Sequence, residues 1–167
     1  MENYERATEA LVECVRALER RAWEIVNEYW TFVNEHVSAN SGWGNKSSMQ
    51  LSCGSVGNHI SVKWTALEWR GKAGKRWSIR KAIPRKKDSF TYNERDLRKY
   101  AKDWEIEKVL ETEKKLESVR RQAHHIVRAI MSIRSAKKVN RVTPIFDIGE
   151  EDADEMDAEN ELSESET

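Results

Sequence analysis

The chain has 167 residues, of which 35% are charged and 38% are hydrophobic, and its mean hydropathy is -0.82. This size fits one domain around a single core, and no apolar run approaches the roughly 18 residues that a membrane span requires. The opening Met1-Glu2-Asn3-Tyr4 lacks the basic-then-apolar order of a secretion signal, so we expect a cytoplasmic protein with no membrane partner.

The formal net charge of +0 conceals a strong segregation of charge along the chain. Residues 1–62 hold 5 basic and 8 acidic residues, whereas residues 63–141 hold 24 basic and 10 acidic residues, a net charge of +14. Residues 142–167 hold 11 acidic residues and no basic one. A cationic block of this length creates a field that attracts polyanions.

A long first helix is predicted from Tyr4 to Val37, where no Gly or Pro occurs. Its apolar positions alternate in steps of four and three, which is typical of a coiled-coil-like seam. The members are Tyr4, Thr8, Leu11, Val15, Leu18, Ala22, Ile25, Tyr29, Phe32 and His36. A second stripe of Trp23, Val26, Trp30 and Val33 widens this face beyond what one antiparallel helix covers, which makes a homodimer plausible.

Beyond the turn residues 38–45 the apolar period changes to two, which predicts three short antiparallel strands at 47–53, 59–70 and 76–83. The middle strand changes phase after Ala66, which indicates either a bulge or burial on both faces. Asn93 is the predicted N-cap of a second long helix, whose apolar stripe shifts between Trp104 and Ile106 as a kink or a change of partner would require. Cys14 and Cys53 lack a common motif and indicate reduced, buried thiols.

These elements predict an α+β fold in which two long helices bracket a three-stranded antiparallel β-meander. We expect one DNA-binding domain over residues 1–141 and a disordered acidic tail over residues 142–167, because self-repulsion and scarce apolar surface oppose folding there. The tail contains an apolar patch that could dock on a partner protein. Its members are Ile145, Phe146 and Ile148.

Motifs of catalysis are missing, so we expect no enzyme, no cofactor and no metal. Phosphate-cradling glycine motifs, nucleophile elbows and zinc-protease motifs are absent from the sequence. His36, His59, His124 and His125 are scattered over three elements, and neighbouring His124 and His125 point about 100° apart on a helix. Ordinary surface or interface roles fit them better than a metal site.

The most distinctive feature is a run of basic residues interleaved with tryptophan, with 14 basic and 4 acidic residues over 59–102. Lys and Arg neutralise phosphates, a two-stranded ribbon fits a major groove, and an exposed aromatic ring can stack on a base. The predicted DNA-binding residues are Lys63, Trp69, Arg70, Lys72, Lys75, Arg76, Arg80, Lys81, Arg85, Lys86, Lys87, Arg95, Arg98 and Lys99. Lys102 extends the same run.

A structural role is the alternative for the tryptophans of this run. Trp64 and Trp77 alternate with Ile60, Val62 and Ile79, which favours the core for both, whereas Trp69 beside Arg70 is the best candidate for contact with DNA. A solvated surface normally mixes signs, but residues 70–87 carry nine positive charges and no acidic residue. That stretch favours polyanion binding over a plain solvated face.

A set of residues in the second half of the chain also resembles the pattern of a known protein family. The resemblance covers about residues 58–125, with Tyr92, Leu97, Ala101, Trp104-Glu105, Glu113, Leu116 and Arg120 as its motif residues. In this respect the chain is similar to the MobI proteins of integrative conjugative elements and related plasmids. The resemblance implies a factor that recognises an origin of transfer and helps the relaxase without nicking DNA. It also implies that Trp104, Glu105, Glu113 and Arg120 are framework positions, either buried or involved in helix pairing, and are not DNA contacts. It leaves the acidic tail unexplained.

The sequence thus predicts a non-catalytic accessory factor that binds double-stranded DNA and assists a relaxase. The rival interpretation is a protein adaptor that acts through its helical seams and its acidic tail. For the tail itself, folding back on the basic face, docking on a partner and a role in solubility alone remain open.

Overall fold

The computed structural model describes residues 2–142 and confirms the predicted α+β class. Helix α1 spans Glu2–Ala39 and is followed by a 3₁₀ turn at Trp43–Asn45. Strands β1 (Met49–Val56), β2 (His59–Arg70) and β3 (Trp77–Ala82) form one antiparallel sheet in the order β1-β2-β3. Helices α2 (Glu94–Tyr100) and α3 (Ile106–Val142) complete the chain. The predicted acidic tail and its apolar patch lie outside the described residues.

The two long helices pack antiparallel along their seams. Lys137 lies 2.6 Å from Glu5 near one end, and Lys115 lies 2.9 Å from Glu28 further along, so residue numbers fall on α3 as they rise on α1. Both seams are buried as the alternation of apolar residues predicted. The buried seam positions are Val15, Ala22, Ile25 and Tyr29 on α1, and Val109, Thr112, Leu116, Val119, Ala123 and Ile130 on α3; the other seam residues are half-buried. An adaptor could therefore use the seams only by unpacking the fold.

The sheet is staggered, because β1 and β3 pair with different halves of β2. β1 pairs with His59–Ala66, whereas β3 pairs with Thr65–Arg70, so only Thr65 and Ala66 have strand neighbours on both sides. Residues 67–82 therefore extend past β1 as a two-stranded hairpin, which we call the arm. The register is continuous through the middle strand, so the predicted phase change is not a bulge. It marks the point where β2 leaves the core and enters the arm.

The sheet covers the second half of α1. Val26 and Val33 are buried with the strand residues Leu51 and Trp64, and the indole Nε1 of Trp30 donates a hydrogen bond to the carbonyl of Leu51 at 3.1 Å. Most of the stripe that made a homodimer plausible is thus covered within one chain. Trp23 alone of that stripe stays 43% exposed.

The second predicted helix is interrupted. Asn93 caps α2 as expected, since its Oδ1 accepts a hydrogen bond from the Arg95 amide at 2.9 Å. The shift of stripe near Trp104 corresponds to a complete break at residues 101–105, after which α3 begins. The buried carboxylate of Glu105 stabilises this break by accepting from the Lys102 amide at 3.1 Å and the Ser48 amide at 3.2 Å.

A buried ion pair joins α3 to the sheet. Arg120 and Glu113 lie 2.7 Å apart with side chains 7% and 5% exposed. The Glu113 carboxylate also accepts from the Trp64 indole at 2.8 Å and from the Tyr92 amide at 2.8 Å, while Arg120 donates to the Val62 carbonyl at 3.3 Å. The burial expected from the family resemblance is confirmed for Glu105, Glu113 and Arg120, whereas Trp104 is only half-buried.

The cysteine prediction is partly wrong. Cys14 and Cys53 are both free thiols as expected, but Cys14 is exposed and Cys53 is only half-buried. The reason for Cys14 is its position on the solvent side of α1, where it precedes the buried Val15 by one residue and therefore points about 100° away from the seam.

Candidate nucleic-acid interface

The arm is exposed over nearly all of its length. Every residue from Glu68 to Ala82 is solvent-exposed, and the arm holds six basic residues and one acidic residue. A glycine makes its turn possible: Gly71 has φ of 97°, and a Cβ there would lie 2.2 Å from the Lys75 carbonyl oxygen. A side chain at this position would push the turn open, so the sequence requires glycine for this hairpin.

The register divides the predicted DNA-binding residues between the two faces of the sheet. Lys63, Trp69 and Arg80 lie on the face opposite the helices, whereas Arg70 and Lys81 lie on the face that packs on the helices further along β2. Lys72, Lys75 and Arg76 surround the turn. Arg85, Lys86 and Lys87 lie in the exposed loop after β3, and Arg95, Arg98 and Lys99 are exposed on α2.

The structure brings the base of the arm and α2 together around Tyr100. The Nζ atom of Lys81 lies 5.8 Å from the centre of the Tyr100 ring, and that of Lys99 lies 5.4 Å from it. The ring attracts both ammonium groups through its negative face, which holds two like charges close together. Cations that are 18 positions apart in sequence thus form one continuous surface.

Few carboxylates neutralise this surface. Within residues 2–142, eleven of the thirteen basic members of the predicted site form no ion pair. The two exceptions are exposed: Arg70 lies 3.1 Å from Glu68, and Arg98 lies 2.7 Å from Glu94. Exposed pairs of this kind contribute about 0 to 1 kcal/mol and are easily exchanged for other anions.

An aromatic pair lies at the outer face of the arm. The rings of Trp69 and Trp43 meet edge to face with centroids 4.9 Å apart, and they remain 37% and 39% exposed. The guanidinium of Arg76 lies 4.5 Å from the Trp43 ring centre, and the Lys46 ammonium lies 4.8 Å from it. These four side chains combine aromatic and cationic groups of the kind that bind nucleic acids.

Trp43 and Lys46 were missed by the sequence analysis, which assigned residues 38–45 only to a turn. The available signal was a large aromatic residue between Gly42 and Gly44, where no core position is expected. Lys102, by contrast, is withdrawn from the basic surface. Its Nζ donates to the carbonyls of Trp43 and Lys46 at 3.1 and 2.5 Å and so ties the 3₁₀ turn to the break between α2 and α3.

The prediction that Trp77 belongs to the core is wrong. Trp64 is 1% exposed as expected, but Trp77 is 56% exposed and Ile79 is 38% exposed. Both positions have the correct alternation for the core face, yet they pair with residues 68–70 of β2, beyond the region that the helices cover. Trp77 thus adds a second exposed aromatic ring to the arm.

The surface carries cationic groups on the arm, on residues 85–87 and on α2. No group of three or more His, Cys, Asp or Glu side chains within residues 2–142 could hold a metal ion. The basic groups are guanidinium and ammonium ions that can donate to phosphate oxygens. In the same part of the chain, no helix is both long enough and apolar enough to cross a membrane.

Comparisons with known proteins identify the family but give no individual relative. Neither the curated proteins nor the solved structures yield a match to this sequence. The family model described as MobI protein matches residues 18–134, which is more than half of the chain and extends the motif region at 58–125 in both directions. The match includes the sheet, the arm and most of both long helices. The chain therefore belongs to the MobI family.

Proposed function

We propose that this protein binds double-stranded DNA at an origin of transfer and helps a relaxase to start conjugative mobilisation, without cutting DNA itself. Membership of the MobI family supports a role in mobilisation. The DNA-binding part of the proposal rests on one observation, which is the exposed, carboxylate-poor basic surface formed by the arm, residues 85–87 and α2.

The dimensions of the arm suit a groove of duplex DNA. Six paired residues of β3 at about 3.3 Å each give a ribbon roughly 20 Å long, and the major groove is about 12 Å wide. Such a ribbon can enter the groove while cations on both of its faces meet the phosphates on either side. The loop at residues 85–87 and α2 would then contact the sugar-phosphate backbone of the DNA beside the groove. These contacts would fix the orientation of the protein on the duplex.

The contacts that this surface can make with DNA favour affinity more than sequence specificity. Most of the exposed cations carry no information on sequence by themselves, because phosphates are the same at every step. Arg76 and Arg80 are the members best placed for base edges, since one lies at the turn and the other in the middle of β3. Bidentate arginine contacts to guanine are the commonest specific contact in this groove.

The test is a mobility-shift titration of an origin-of-transfer duplex with a fourfold variant of the arm and loop. In Arg76→Gln, Arg80→Gln, Arg85→Gln, Lys86→Gln we expect binding to disappear at physiological salt, because four counterion-releasing contacts are removed. The slope of log K against log salt should flatten by roughly 3.6, at about 0.9 per phosphate contact. All four side chains are exposed, so the circular dichroism spectrum should not change.

A matched control neutralises the same number of cations elsewhere. Arg6, Arg16, Arg20 and Arg21 are exposed arginines of α1, outside the proposed surface. Changing all four to Gln should leave the affinity and the salt slope within a small factor of the original. Equal binding by the arm variant and the original protein would remove the arm from the proposed function.

A further inference from the structure

A second cationic surface lies on the second half of α3, away from the arm. Residues 118–142 contain seven basic residues and no acidic residue. Three of the seven have carboxylate partners, because Arg120 pairs with Glu113, Arg121 with Glu117 and Lys137 with Glu5. The other four are exposed and form no ion pair within the described chain; we call them the α3 stripe. They are Arg128, Arg134, Lys138 and Arg141.

Three of the four stripe residues share one side of the helix, whereas Arg128 is turned about 120° from Arg134 around the axis. Arg134, Lys138 and Arg141 follow one another at intervals of four and three residues, so they lie on one side of the helix. Met131, one turn before Arg134, is 61% exposed, and Val139 is 65% exposed. A partner for this surface should therefore carry carboxylates and some apolar side chains.

Residues 143–167 of the same chain have this composition. They contain 11 acidic residues, no basic residue, and the apolar group Ile145, Phe146 and Ile148. We propose that this segment binds the α3 stripe of its own chain. Their covalent connection at Val142 makes the local concentration of the segment high at the stripe, which lies within about 21 Å of that residue along the helix axis.

Geometry favours the stripe over the arm as the site for this segment. Strand β2 runs antiparallel to α3. Arg120 contacts Val62 of β2, whereas Glu105, earlier on α3, contacts Ser48. The carbonyl of Ser48 in turn accepts a hydrogen bond from Leu67, which comes later on β2. The arm thus begins beside the first residue of α3, about 54 Å along the axis from Val142. Residues 143–157, which hold seven of the 11 acidic residues, span at most about 54 Å even when fully extended, so nearly all of their carboxylates fall short of the arm.

If the segment occupies the stripe, the arm remains free to bind polyanions among the described residues. This consequence for DNA binding rests on the proposed function. The segment would prevent DNA from contacting α3 and would thereby limit binding that does not involve the arm. The binding of the segment to the stripe does not itself depend on DNA. The two ideas can therefore fail separately.

The test is zero-length carbodiimide crosslinking of the full-length protein, followed by peptide mass spectrometry. We expect carboxylates of residues 147–157 to couple to the Lys138 amine within one chain, and mixed isotopic labelling identifies that case. The triple variant Arg128→Gln, Arg134→Gln, Arg141→Gln retains Lys138 and should reduce the crosslink several-fold. The matched variant Arg16→Gln, Arg20→Gln, Arg21→Gln should retain it. Crosslinks mainly to Lys72 and Lys75, mainly between two chains, or absent at Lys138 would overturn the proposal.

A DNA measurement tests the consequence. A fivefold variant neutralises five acidic residues of the segment: Glu150→Gln, Glu151→Gln, Asp152→Asn, Asp154→Asn, Glu155→Gln. Its affinity for a random-sequence duplex should rise on the order of tenfold, because the stripe becomes available to contact phosphates. Adding the triple stripe variant should cancel this gain, whereas the fourfold arm variant should leave a residual gain. If the gain survives in the stripe variant but vanishes in the arm variant, the segment acts on the arm and the proposal is wrong.

Discussion

At the scale of single residues, the fold depends on a few buried polar groups. The carboxylate of Glu113 receives hydrogen bonds from Trp64, Tyr92 and Arg120, so one side chain connects α3, β2 and the loop before α2. Glu105 performs the same task at the break between α2 and α3. Charged groups are costly to bury, and these are tolerated because the surrounding donors replace the lost water.

Replacement of Arg120 by alanine should therefore be strongly destabilising. It would leave the Glu113 carboxylate buried without its counter-ion, and we expect the free energy of unfolding to fall by about 3–5 kcal/mol in urea titrations. The matched control is Arg121→Ala, which removes an exposed pair with Glu117 and should cost under about 1 kcal/mol. Similar losses for both variants would contradict the assigned role of the buried pair.

The two cysteines should differ in reactivity. Burial raises the pKa of the Cys53 thiol, with a smaller contribution from the Glu19 carboxylate, whereas Cys14 is exposed. A raised pKa leaves less thiolate at a given pH, so iodoacetamide at pH 8 should modify Cys14 faster than Cys53, as followed by peptide mass spectrometry. In denaturing urea the two rates should converge, and a persistent difference there would assign the effect to local sequence instead.

At the scale of elements, the arm contributes little to the free energy of folding of the core. Residues 68–82 are exposed, so they bury little apolar surface and contribute little to the stability of the domain. Their order comes instead from the β2–β3 register and from the tight turn at Gly71. Changes in the arm should consequently affect binding more than folding.

The substitution Gly71→Ala should reduce DNA binding without reducing the stability of the fold. The new Cβ would approach the Lys75 carbonyl and the Trp77 ring, so the turn must open and the strands of the arm must shift. We expect weaker binding to an origin-of-transfer duplex and an almost unchanged midpoint of urea unfolding. Gly54→Ala is a fitting control, because a Cβ there meets no atom within 4 Å and no left-handed backbone is required. Loss of stability in Gly71→Ala would show that the arm supports the core.

At the scale of the whole molecule, one core connects the sheet with one end of the helix pair. The core cluster extends from Ala22 to Val33 on α1 and from Val109 to Val119 on α3, together with the inner face of the sheet. Towards Glu2 and Val142 the two helices contact only each other among residues 2–142. The molecule is thus a helix pair covered by the sheet at one end and an antiparallel helix pair without the sheet at the other.

Hydrogen exchange should follow this division. Backbone amides of residues 22–33 and 109–119 should be among the slowest to exchange, because they open only with the core. Amides of residues 5–12 and 131–140 should exchange faster, since the helix pair can separate there without exposing the sheet. Equal protection along the full length of α1 would contradict this view and indicate a further partner at the far end of the helices.

The sequence by itself determined the elements of the fold. The change of apolar period from about 3.5 to two located the helices and strands, because each period reflects the geometry of one backbone conformation. The Asn93 cap and the carboxylate-free run at residues 70–87 were equally local signals. The basic surface could be predicted because charge density belongs to composition and does not require knowledge of packing.

Only the tertiary structure decided which alternating residues are covered. Trp64 and Trp77 have the same pattern in the sequence, yet one is buried and the other is exposed, because the stagger of β1 and β3 along β2 sets where the helices stop. The contacts of Trp43, Lys46 and Lys102 depend on a turn that folds back on residues far away in the chain. Local sequence could not reveal them, since their partners are chosen by the packing of the whole molecule.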